Sequence, residues 1–356
     1  MTVILFLFQS RELQRKLYEN FASPTSNKKM NISFIIPVKP DGYVKAIESI
    51  KSLAGKDFTW ELLIASGSQP SRQRNIAAVK ASGEILYFLD DDSMVCNSSI
   101  EACLEAMRDS MVTVIGGPSL TPSADSSLQR LFGAALGSLF GAGKSRSRYR
   151  PVGRLRETSE KELILCNLAI RRDIFLSSGG FDERLYPNEE NELLDRLAML
   201  GHKLIYNPRM IVERSQRASL WQFCRQFFRY GRGRGEQTRI SKNLSFTKFI
   251  PLFFVTYLLL LPLFPTGTVF IKIPLFFYIL TDALVAAKIA AKEKNILYFL
   301  LFLIFPLMHC SNGVGLLSGI IKGGSLEPES QEITVKCYGP ETLSLPTRYN
   351  IDKEAA

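Results

Sequence analysis

An uninterrupted apolar run that ends in three consecutive acids constrains this chain more than any other feature. Ile85–Leu89 is long enough for a buried parallel strand and rich in residues that favour strands, and Asp90, Asp91 and Asp92 follow it directly. Ligands of open α/β sheets bind beyond the carboxyl ends of strands, and crowded carboxylates repel one another unless a cation lies among them. The stretch therefore predicts either an oxygen-ligated Mg²⁺ or Mn²⁺ site with a phosphate-bearing ligand, or a solvated turn.

The residues before this run alternate between strand and helix patterns. Asn31–Val38 and Trp60–Ala65 predict buried strands, while the apolar spacing of Tyr43–Leu53 and the cap at Ser71 predict helices between the strands. The order β-α-β-α-β is typical of half of a doubly wound, mostly parallel sheet. No G-x-G-x-x-G or P-loop sequence follows a strand, which argues against a dinucleotide site or an ordinary ATPase site.

Composition limits the chemistry that the chain can perform. Its 356 residues carry a net charge of +10, which suits nucleic acid, a phosphate-bearing substrate or an acidic membrane surface. There are two histidines, and none of the six cysteines forms a C-x-x-C pair. A zinc site, a disulfide framework and a Ser-His-Asp triad are therefore disfavoured.

The middle of the chain predicts further strands and three groups of charged residues. Lys144–Arg156 predicts a basic loop that is solvated, faces acidic lipid or grips a phosphate. Glu189 and Glu190 precede a predicted helix at Leu193–Leu200, where ordinary first-turn acids are the simpler interpretation. Alternating arginine and glycine in Arg229–Gly235 would let guanidinium groups approach a diphosphate, with RNA as the alternative partner. Strands are predicted at Val112–Gly117 and Leu163–Ile170, short edge strands at Leu204–Tyr206 and Ile211–Glu213, and helices at Ile100–Met107 and Leu220–Tyr230.

The C-terminal third contains three apolar runs. Phe249–Ile271 and Ile296–Ile321 meet the length of a membrane span, whereas Ile273–Ala287 is short, and buried helices of a soluble protein are the alternative. Basic residues precede the first run and follow the second, at Lys288, Lys292 and Lys294. The positive-inside rule therefore places both flanks in the cytoplasm.

The order of these motifs resembles the family-2 glycosyltransferases, which are inverting enzymes with the GT-A fold. The tract F-R-Y-G-R-G-R-G and Met308-His309 with Gly313 and Gly315 are most similar to the subgroup that builds succinoglycan-type exopolysaccharides. The segments that carry the family resemblance are Pro37-Val38, Arg74-Asn75, Gly83-Glu84, Asp90-Asp91-Asp92 (D-x-D), Gly179-Gly180-Phe181-Asp182-Glu183, Asn188-Glu189-Glu190 (E-D), and Gln226, Arg229 and Tyr230 (Q-x-x-R-W).

This resemblance implies a role for each residue. Asp90 and Asp92 would hold Mn²⁺ or Mg²⁺, and Glu190 would act as the catalytic base with Glu189 as the alternative. Asp182 and Asn188 would contact the acceptor. The donor would be a nucleotide-sugar, most simply a UDP-sugar, contacted by Pro37, Val38, Ser66, Arg74, Asp90, Asp91, Asp92, Gln226, Arg229, Tyr230 and Arg232.

Three positions differ from the family pattern. Ala65 and Ser66 stand where an aspartate usually helps to hold the base and ribose, Glu190 replaces the aspartate of the E-D motif, and Tyr230 replaces the tryptophan of Q-x-x-R-W. The identity of the nucleotide and a processive mode of action are therefore not implied.

The resemblance also implies an organisation and a location. The expected parts are a leader at 1–30, a GT-A domain at 31–245, a membrane region with two to three helices at 246–322 and a polar tail at 323–356. The leader's apolar segment is too short to span a bilayer. The expected protein is multi-pass in the inner (cell) membrane, with its catalytic domain in the cytoplasm, and it transfers a sugar to a lipid-linked saccharide rather than binding nucleic acid. A polyprenyl-phosphate sugar synthase and a non-catalytic, membrane-anchored nucleotide-binding scaffold are the alternatives.

Overall fold

An eight-stranded mixed sheet forms the centre of the protein. The computed structural model describes residues 29–54, 57–241, 249–265, 268–322 and 332–343, so most of the predicted leader and much of the predicted tail lie outside the described residues. The strands are β1 (Met30–Val38), β2 (Phe58–Ser66), β3 (Ile85–Phe88), β4 (Met94–Val95), β5 (Val112–Gly116), β6 (Ser119–Leu120), β7 (Arg156–Glu157), β8 (Leu168–Arg171), β9 (Lys203–Tyr206), β10 (Val212–Glu213) and β11 (Thr334–Tyr338).

The strand order in the large sheet is β11-β2-β1-β3-β8-β5-β9-β7. Strands β2, β1 and β3 are parallel to one another, as the β-α-β-α-β pattern predicts. Strand β8 runs antiparallel to both β3 and β5, so the sheet is mixed. The predicted α/β class is confirmed, and the three parallel strands bring their carboxyl ends to one edge.

Helices cover both faces of the sheet because its strands are apolar on both sides. Ile32, Phe34 and Ile36 belong to one buried cluster and Ile35 belongs to the other, as the two-residue period of a strand requires. The helices of this part are α1 (Ala46–Lys51), α2 (Pro70–Lys80), α3 (Asn97–Met107), α4 (Ser127–Leu136), α5 (Leu139–Ala142), α6 (Arg172–Ser177) and α7 (Glu189–Met199).

Several predicted elements differ from the structure in extent or position. The first helix is shorter than Tyr43–Leu53, and the predicted strand Leu163–Ile170 begins with a 3₁₀ turn at Leu165–Asn167 before β8. The two predicted edge strands are not edges. Strand β9 lies between β5 and β7, and β10 is the middle strand of a small second sheet, β4-β10-β6. Short apolar runs indicate a strand but carry no information about which neighbours it will have.

The arginine–glycine tract is helical, so the helix predicted at Leu220–Tyr230 extends further than expected. Helix α8 (Leu220–Ser241) continues through it and packs along α11 (Leu301–Lys322). A Cβ atom added to Gly231 would lie 2.0 Å from the Asn312 carbonyl oxygen, and one added to Gly315 would lie 2.0 Å from the Phe228 carbonyl oxygen. These glycines let two helix backbones approach closely, as small residues do at helix crossings.

Two helices of the C-terminal third are long and apolar enough to cross a membrane. They are α10 (Val269–Lys292) and Ile296–Lys322, which contains α11. The first predicted span, Phe249–Ile271, is corrected: α9 (Ile250–Leu260) ends in a 3₁₀ turn at Leu261–Leu263. Pro262 lies in that turn and Pro265 follows it, and a proline that lacks the backbone N–H donor favours a kink or an end of a helix. The middle run is longer than predicted because α10 begins at Val269.

The tail contributes a strand that composition did not predict. β11 pairs antiparallel with β2, with Thr334 opposite Ser66. The side chain of Ile333 also lies beside Gly67, where a Cβ atom would be 3.1 Å from Ile333 Cγ1. The C-terminal segment therefore borders the edge of the sheet at which β1 and β2 end.

Candidate active site

The carboxyl ends of three parallel strands form the floor of the candidate site. Val38 at the end of β1 lies opposite Ser66 at the end of β2, and Pro37 lies opposite Ala65. The Gln73 side chain donates to the Val38 carbonyl oxygen at 2.8 Å and also to that of Ala65, which ties both strand ends to α2. The Ser66 hydroxyl is buried and has no hydrogen-bond partner among the described residues, so this edge holds a polar group that a ligand could satisfy.

Asp90 and Asp92 converge on one arginine. Arg214 lies 3.2 Å from Asp90 through Nη1 and Oδ2, and 2.8 Å from Asp92 through Nε and Oδ1. Arg74 donates from Nη2 to the other Asp90 oxygen at 2.9 Å. Burial alone would raise the pKa of Asp90, but Arg214 and Arg74 hold it below its ordinary value. Asp90 is therefore ionised and fixed between two guanidinium groups.

Asp91 has a different environment from its neighbours. Burial, together with the charges of Asp92 and Asp90, raises its pKa to about 6. Its backbone carbonyl accepts from the Ala46 amide at 3.0 Å, which connects the acidic turn to the start of α1. The three acids are thus distinct: two pair with Arg214, and the middle one is destabilised as a carboxylate by the other two.

Arg74 links the acidic turn to the acids of α7. Its Nη1 donates to Glu189 Oε1 at 2.9 Å while its Nη2 holds Asp90. The side chains of Arg74 and Glu189 are only 5% and 3% exposed. Burial raises the pKa of Glu189; Arg74 acts in the opposite direction, and the charge of Glu190 adds to the rise. The sequence-distant motifs around Asp90 and Glu189 therefore meet at a single buried guanidinium.

Glu190 is the more accessible of the two glutamates. Its side chain is 13% exposed, and its Oε1 lies 3.6 Å from Arg148 Nη1 and accepts from the Asn191 amide at 3.2 Å. Arg234 of α8 lies near the same group, and burial together with the Arg148 charge lowers the pKa of Arg234. Two arginines therefore accompany Glu190, whereas Glu189 is committed to Arg74.

Asn188 is committed to structure in this arrangement. It is buried, has φ of 113°, donates through Nδ2 to Gln237 and accepts from Asn191 Nδ2 at 2.5 Å. The Asp182 carboxylate pairs with Arg184 at 2.6 Å. These contacts give no evidence that Asn188 or Asp182 binds an acceptor, so the acceptor roles expected for them stay predictions.

Asn75, next to Arg74, holds the G-G-F-D-E segment. Its amide group donates to the Phe181 carbonyl at 2.9 Å and to Glu183 at 3.0 Å, and its Oδ1 accepts from the Phe181 amide at 2.9 Å. The Ser71 hydroxyl donates to the Leu185 carbonyl at 2.8 Å. The amino-terminal half of α2 therefore positions both the acids and the segment that leads into α7.

The residues of the Q-x-x-R-W-like motif divide between two surfaces. Gln226 donates to the Tyr230 hydroxyl at 2.6 Å, and both line a small cavity with Arg214. Arg229 is exposed, and Arg232 pairs with Glu236 at 3.2 Å. The structure thus brings Gln226 and Tyr230 beside the acidic turn, whereas Arg232 has its own acid on α8.

The carboxylate oxygens of Asp90 and Asp92 suit a hard divalent cation whose remaining coordination positions are filled by a bound phosphate and water. Within the described ranges, no group of three His, Cys, Asp or Glu side chains is arranged to hold a metal ion by itself. Asp90 and Asp92 nevertheless point at one cationic group, Arg214. Mg²⁺ is commonly held by one or two carboxylates together with substrate phosphates and water. The pair therefore suits a metal that arrives with a diphosphate.

Sequence reasoning missed two arginines of the site. Arg214 follows the two-residue strand β10 and is far from Asp90 in the sequence, and no motif marked it. Arg148 was counted among the cations of the basic loop, but it is buried, and it donates to the carbonyls of Glu160 and Lys161 and to Asn191. The single usable signal was the density of arginine between Lys144 and Arg156, which does not distinguish buried from solvated side chains.

The comparisons with known proteins agree with the motif order. Residues 85–308, more than half of the chain, match the family described as "Glycosyl transferase family group 2". The chain is 28% identical over 169 residues to "Succinoglycan biosynthesis protein ExoA" of Rhizobium meliloti (strain 1021), which covers 46% of this chain and 47% of that protein.

A second relative comes from Methanococcus voltae: "Dolichyl N-acetyl-alpha-D-glucosaminyl phosphate 3-beta-D-2,3-diacetamido-2,3-dideoxy-beta-D-glucuronosyltransferase". It is 26% identical over 152 residues, covering 41% of this chain and 43% of that protein. The matched region thus spans about half the length of these curated relatives or slightly less.

Among solved structures, the mannosyltransferase PcManGT of Pyrobaculum calidifontis in complex with GDP-Man and Mn²⁺ has a TM-score of 0.48 at 12% identity. That comparison covers 89% of this chain and 96% of that one. GalNAc-T7 with UDP, GalNAc and Mn²⁺ has a TM-score of 0.39 at 12% identity, covering 60% of this chain and 52% of that one.

Proposed function

The chain belongs to glycosyl transferase family group 2, as the order of its motifs predicted, and on that premise we propose that it transfers a sugar from a nucleotide-sugar to a hydroxyl group of an acceptor, with inversion at the anomeric carbon. One observation supports this most: Arg74 joins Asp90, after β3, to Glu189, at the start of α7. The proposed donor-binding edge and the first turn of α7, which also carries the proposed base Glu190, are thereby held in one centre.

The donor diphosphate would lie at the edge formed by β1, β2 and β3. Asp90 and Asp92 would hold Mg²⁺ or Mn²⁺, which when bound offsets charge on the leaving nucleotide diphosphate. Arg214 touches both acids and is therefore placed to contact the same phosphates. Ser66, whose hydroxyl has no hydrogen-bond partner in the part of the chain that the structure describes, would contact the base or ribose, for which uridine is our first candidate.

Glu190 is the proposed base, because Glu189 is engaged by Arg74 and is almost fully buried. Glu190 retains access to solvent and so to an acceptor hydroxyl. It would take the proton of that hydroxyl as the oxygen attacks the anomeric carbon on the face opposite the leaving group, so one displacement inverts the centre. Glu189 would act indirectly, by holding Arg74 against Asp90.

The acceptor would be carried by a lipid, and the catalytic domain would lie on the cytoplasmic side of the inner (cell) membrane. The length and apolar character of α10, which is little buried against the rest of the protein, support this location, whereas α11 packs along α8 and is followed by β11 of the central sheet. Lys288 and Lys292 at the end of α10, with Lys294 beyond it, support the cytoplasmic side. Surface-polysaccharide or glycolipid synthesis is the process that such an acceptor serves.

A donor panel tests the proposed function. The full-length protein in detergent is incubated with UDP-, GDP- and dTDP-sugars and Mn²⁺, and release of the nucleotide diphosphate is measured. Release from one donor, lost on EDTA treatment and in Asp92→Asn but kept in the surface control Asp57→Asn, is the expected result. Release that resists EDTA would refute the metal assignment, and no release or binding with any donor would favour a scaffold.

A second function, transfer to a lipid phosphate, is favoured by the two arginines beside Glu190. Arg148 lies 3.6 Å from Glu190, and burial together with the charge of Arg148 lowers the pKa of Arg234. Such cations could hold an acceptor phosphate, which needs no general base because it is already ionised. Full activity of Glu190→Gln would favour this function over transfer to a hydroxyl.

A further inference from the structure

A cavity of about 640 Å³ lies between residues 133–151 and the C-terminal half of α10. Leu139, Phe140, Val285 and Ile289 contribute apolar walls. Its cationic lining residues are Arg146, Arg150, Lys288 and Lys292, and Glu293 is its one acid, 3.9 Å from Lys292. An apolar cavity with a cationic margin suits a molecule with an apolar chain and an anionic head.

The place of the cavity in the fold agrees with that ligand. Lys288 and Lys292 lie in the last turns of α10, the helix whose length and composition allow it to cross a membrane. Basic residues at such a helix end lie at the level of lipid headgroups. A lipid phosphate would therefore meet these lysines at its own depth in the bilayer.

The cavity is adjacent to the proposed active site. Tyr149 lines it and also lines the small cavity beside Arg214, Gln226 and Tyr230. Within the same short segment, Arg146 lines the large cavity, while Arg148 reaches Glu190 at 3.6 Å. Arg146 at the large cavity and Arg148 at the proposed base Glu190 are thus only two residues apart in the chain.

We propose that this cavity binds the phosphate or diphosphate of the lipid that carries the acceptor. Phe140 and Ile289 contact the lipid chain, and the four cations contact the phosphate oxygens, so that the saccharide beyond the phosphate extends past Tyr149 towards Glu190. This inference rests on the proposed function for the identity of the lipid. A bilayer phospholipid and a free diphosphate offer the same anionic chemistry, and the experiment below separates them.

Binding of radiolabelled farnesyl diphosphate to the full-length protein in detergent is the test. We expect unlabelled farnesyl diphosphate to displace the probe. Farnesol, inorganic diphosphate and phosphatidylglycerol should each displace it at least about tenfold more weakly. Farnesol lacks the phosphates, inorganic diphosphate lacks the apolar chain, and phosphatidylglycerol has a different head group and chain shape. Displacement by phosphatidylglycerol as strong as by the unlabelled probe would assign the cavity to bilayer lipid. Equal displacement by inorganic diphosphate would assign it to a free anion. Either result overturns the proposal.

Two double variants locate the binding in this cavity. Arg146→Ala with Lys288→Ala, and independently Arg150→Ala with Lys292→Ala, should each weaken probe binding by about tenfold or more, because each removes two charge-assisted contacts. Arg154→Ala is the matched control, since Arg154 is exposed in the same basic segment but does not line the cavity. Melting temperatures of all variants exclude unfolding as the cause. If both folded double variants bind like the wild type, the cavity is not the site.

The donor panel keeps this inference separate from the proposed function. If the wild type binds the probe through these four cations but releases nucleotide diphosphate from no donor, the proposed function fails and the lipid-phosphate site stands. If donors are turned over but probe binding ignores the four cations, the cavity assignment alone fails.

Discussion

Adding one methyl group at Gly315 should destabilise the protein, although alanine favours helices more than glycine does. The glycines of the arginine–glycine tract have two possible explanations: they let a phosphate approach, or they let α8 and α11 pack closely. Only the second explanation predicts that a methyl group at the contact between the two helices lowers stability. The added Cβ atom would lie 2.0 Å from the Phe228 carbonyl oxygen of α8. In the reverse direction, a Cβ atom added to Gly231 of α8 would lie 2.0 Å from the Asn312 carbonyl oxygen of α11. Both contacts are with backbone, which cannot rotate away as a side chain can.

The structure gives the size of the effect. Ordinary contact begins near 3.4 Å, so α8 and α11 must separate locally by about 1.4 Å. Overpacking of this kind costs up to about 3 kcal/mol, and the helix propensity of alanine returns about 1 kcal/mol. The net loss of about 2 kcal/mol corresponds to a fall of about 4–8 °C in the melting temperature.

Thermal unfolding of the detergent-solubilised protein, followed by tryptophan fluorescence, measures this fall. Trp221 lies on α8, and Ser311→Ala, on α11 like Gly315, is the control. The double variant with Gly231→Ala should lose less than the sum of the single losses, since one separation relieves both contacts. If Gly315→Ala melted at or above the wild-type temperature, the close-packing explanation would be wrong and the glycines would need another role.

Three further results are expected from the acidic centre. Glu190→Gln should lower transfer by about 10²–10⁴-fold while nucleotide diphosphate binding, measured by calorimetry with Mn²⁺, is kept. If Glu189→Gln is inactive instead and Glu190→Gln is active, the base is Glu189. Arg214→Ala should weaken nucleotide diphosphate binding by about tenfold or more, and Arg214→Lys should restore only part of it because lysine cannot contact both acids as a fork; unchanged binding would remove Arg214 from the donor site. Since burial raises the pKa of Glu189, the stability gained from its protonated form is complete below the unfolded value of 4.5 and is lost as the pH rises through the higher folded value. The melting temperature of the wild type, measured relative to that of Glu189→Gln, should therefore decrease as the pH rises from about 5 to about 8. A difference between the two melting temperatures that did not change with pH would contradict the raised pKa of Glu189.

The parallel half of the sheet was predictable because its signals are local. The strands around Ile35, Leu63 and Leu86 are apolar on both faces, and each predicted boundary lies within two residues of the observed one. The order of strand and helix then fixes a shared carboxyl edge, since parallel strands joined by helices end on the same side. The acids after β3 could be placed at that edge without a structure.

What the sequence did not predict depends on partners that are distant along the chain. Gly231 and Gly235 lower the local helix propensity, so the predicted helix ended at Tyr230, whereas in the structure α11 supplies a backbone for these glycines to pack against. Arg214 became a site residue only because β10 pairs with β4 and β6, beside the acidic turn. The strand β11 offered a weak signal, the β-forming run Thr334–Tyr338, within a polar tail.

The dipeptide Arg74-Asn75 explains why motifs so far apart in the sequence form one centre. Arg74 faces Asp90 and Glu189, and Asn75, the next residue of α2, holds the backbone of Phe181. A shift of α2 would therefore move the donor-side acid and the entry to α7 together. Substituting lysine for Arg74 keeps the charge but cannot contact two carboxylates with separate nitrogens in fixed geometry. The same geometry supports the proposed roles of the glutamates: Arg74 holds Glu189 together with Asp90, and the less buried Glu190 is the proposed base.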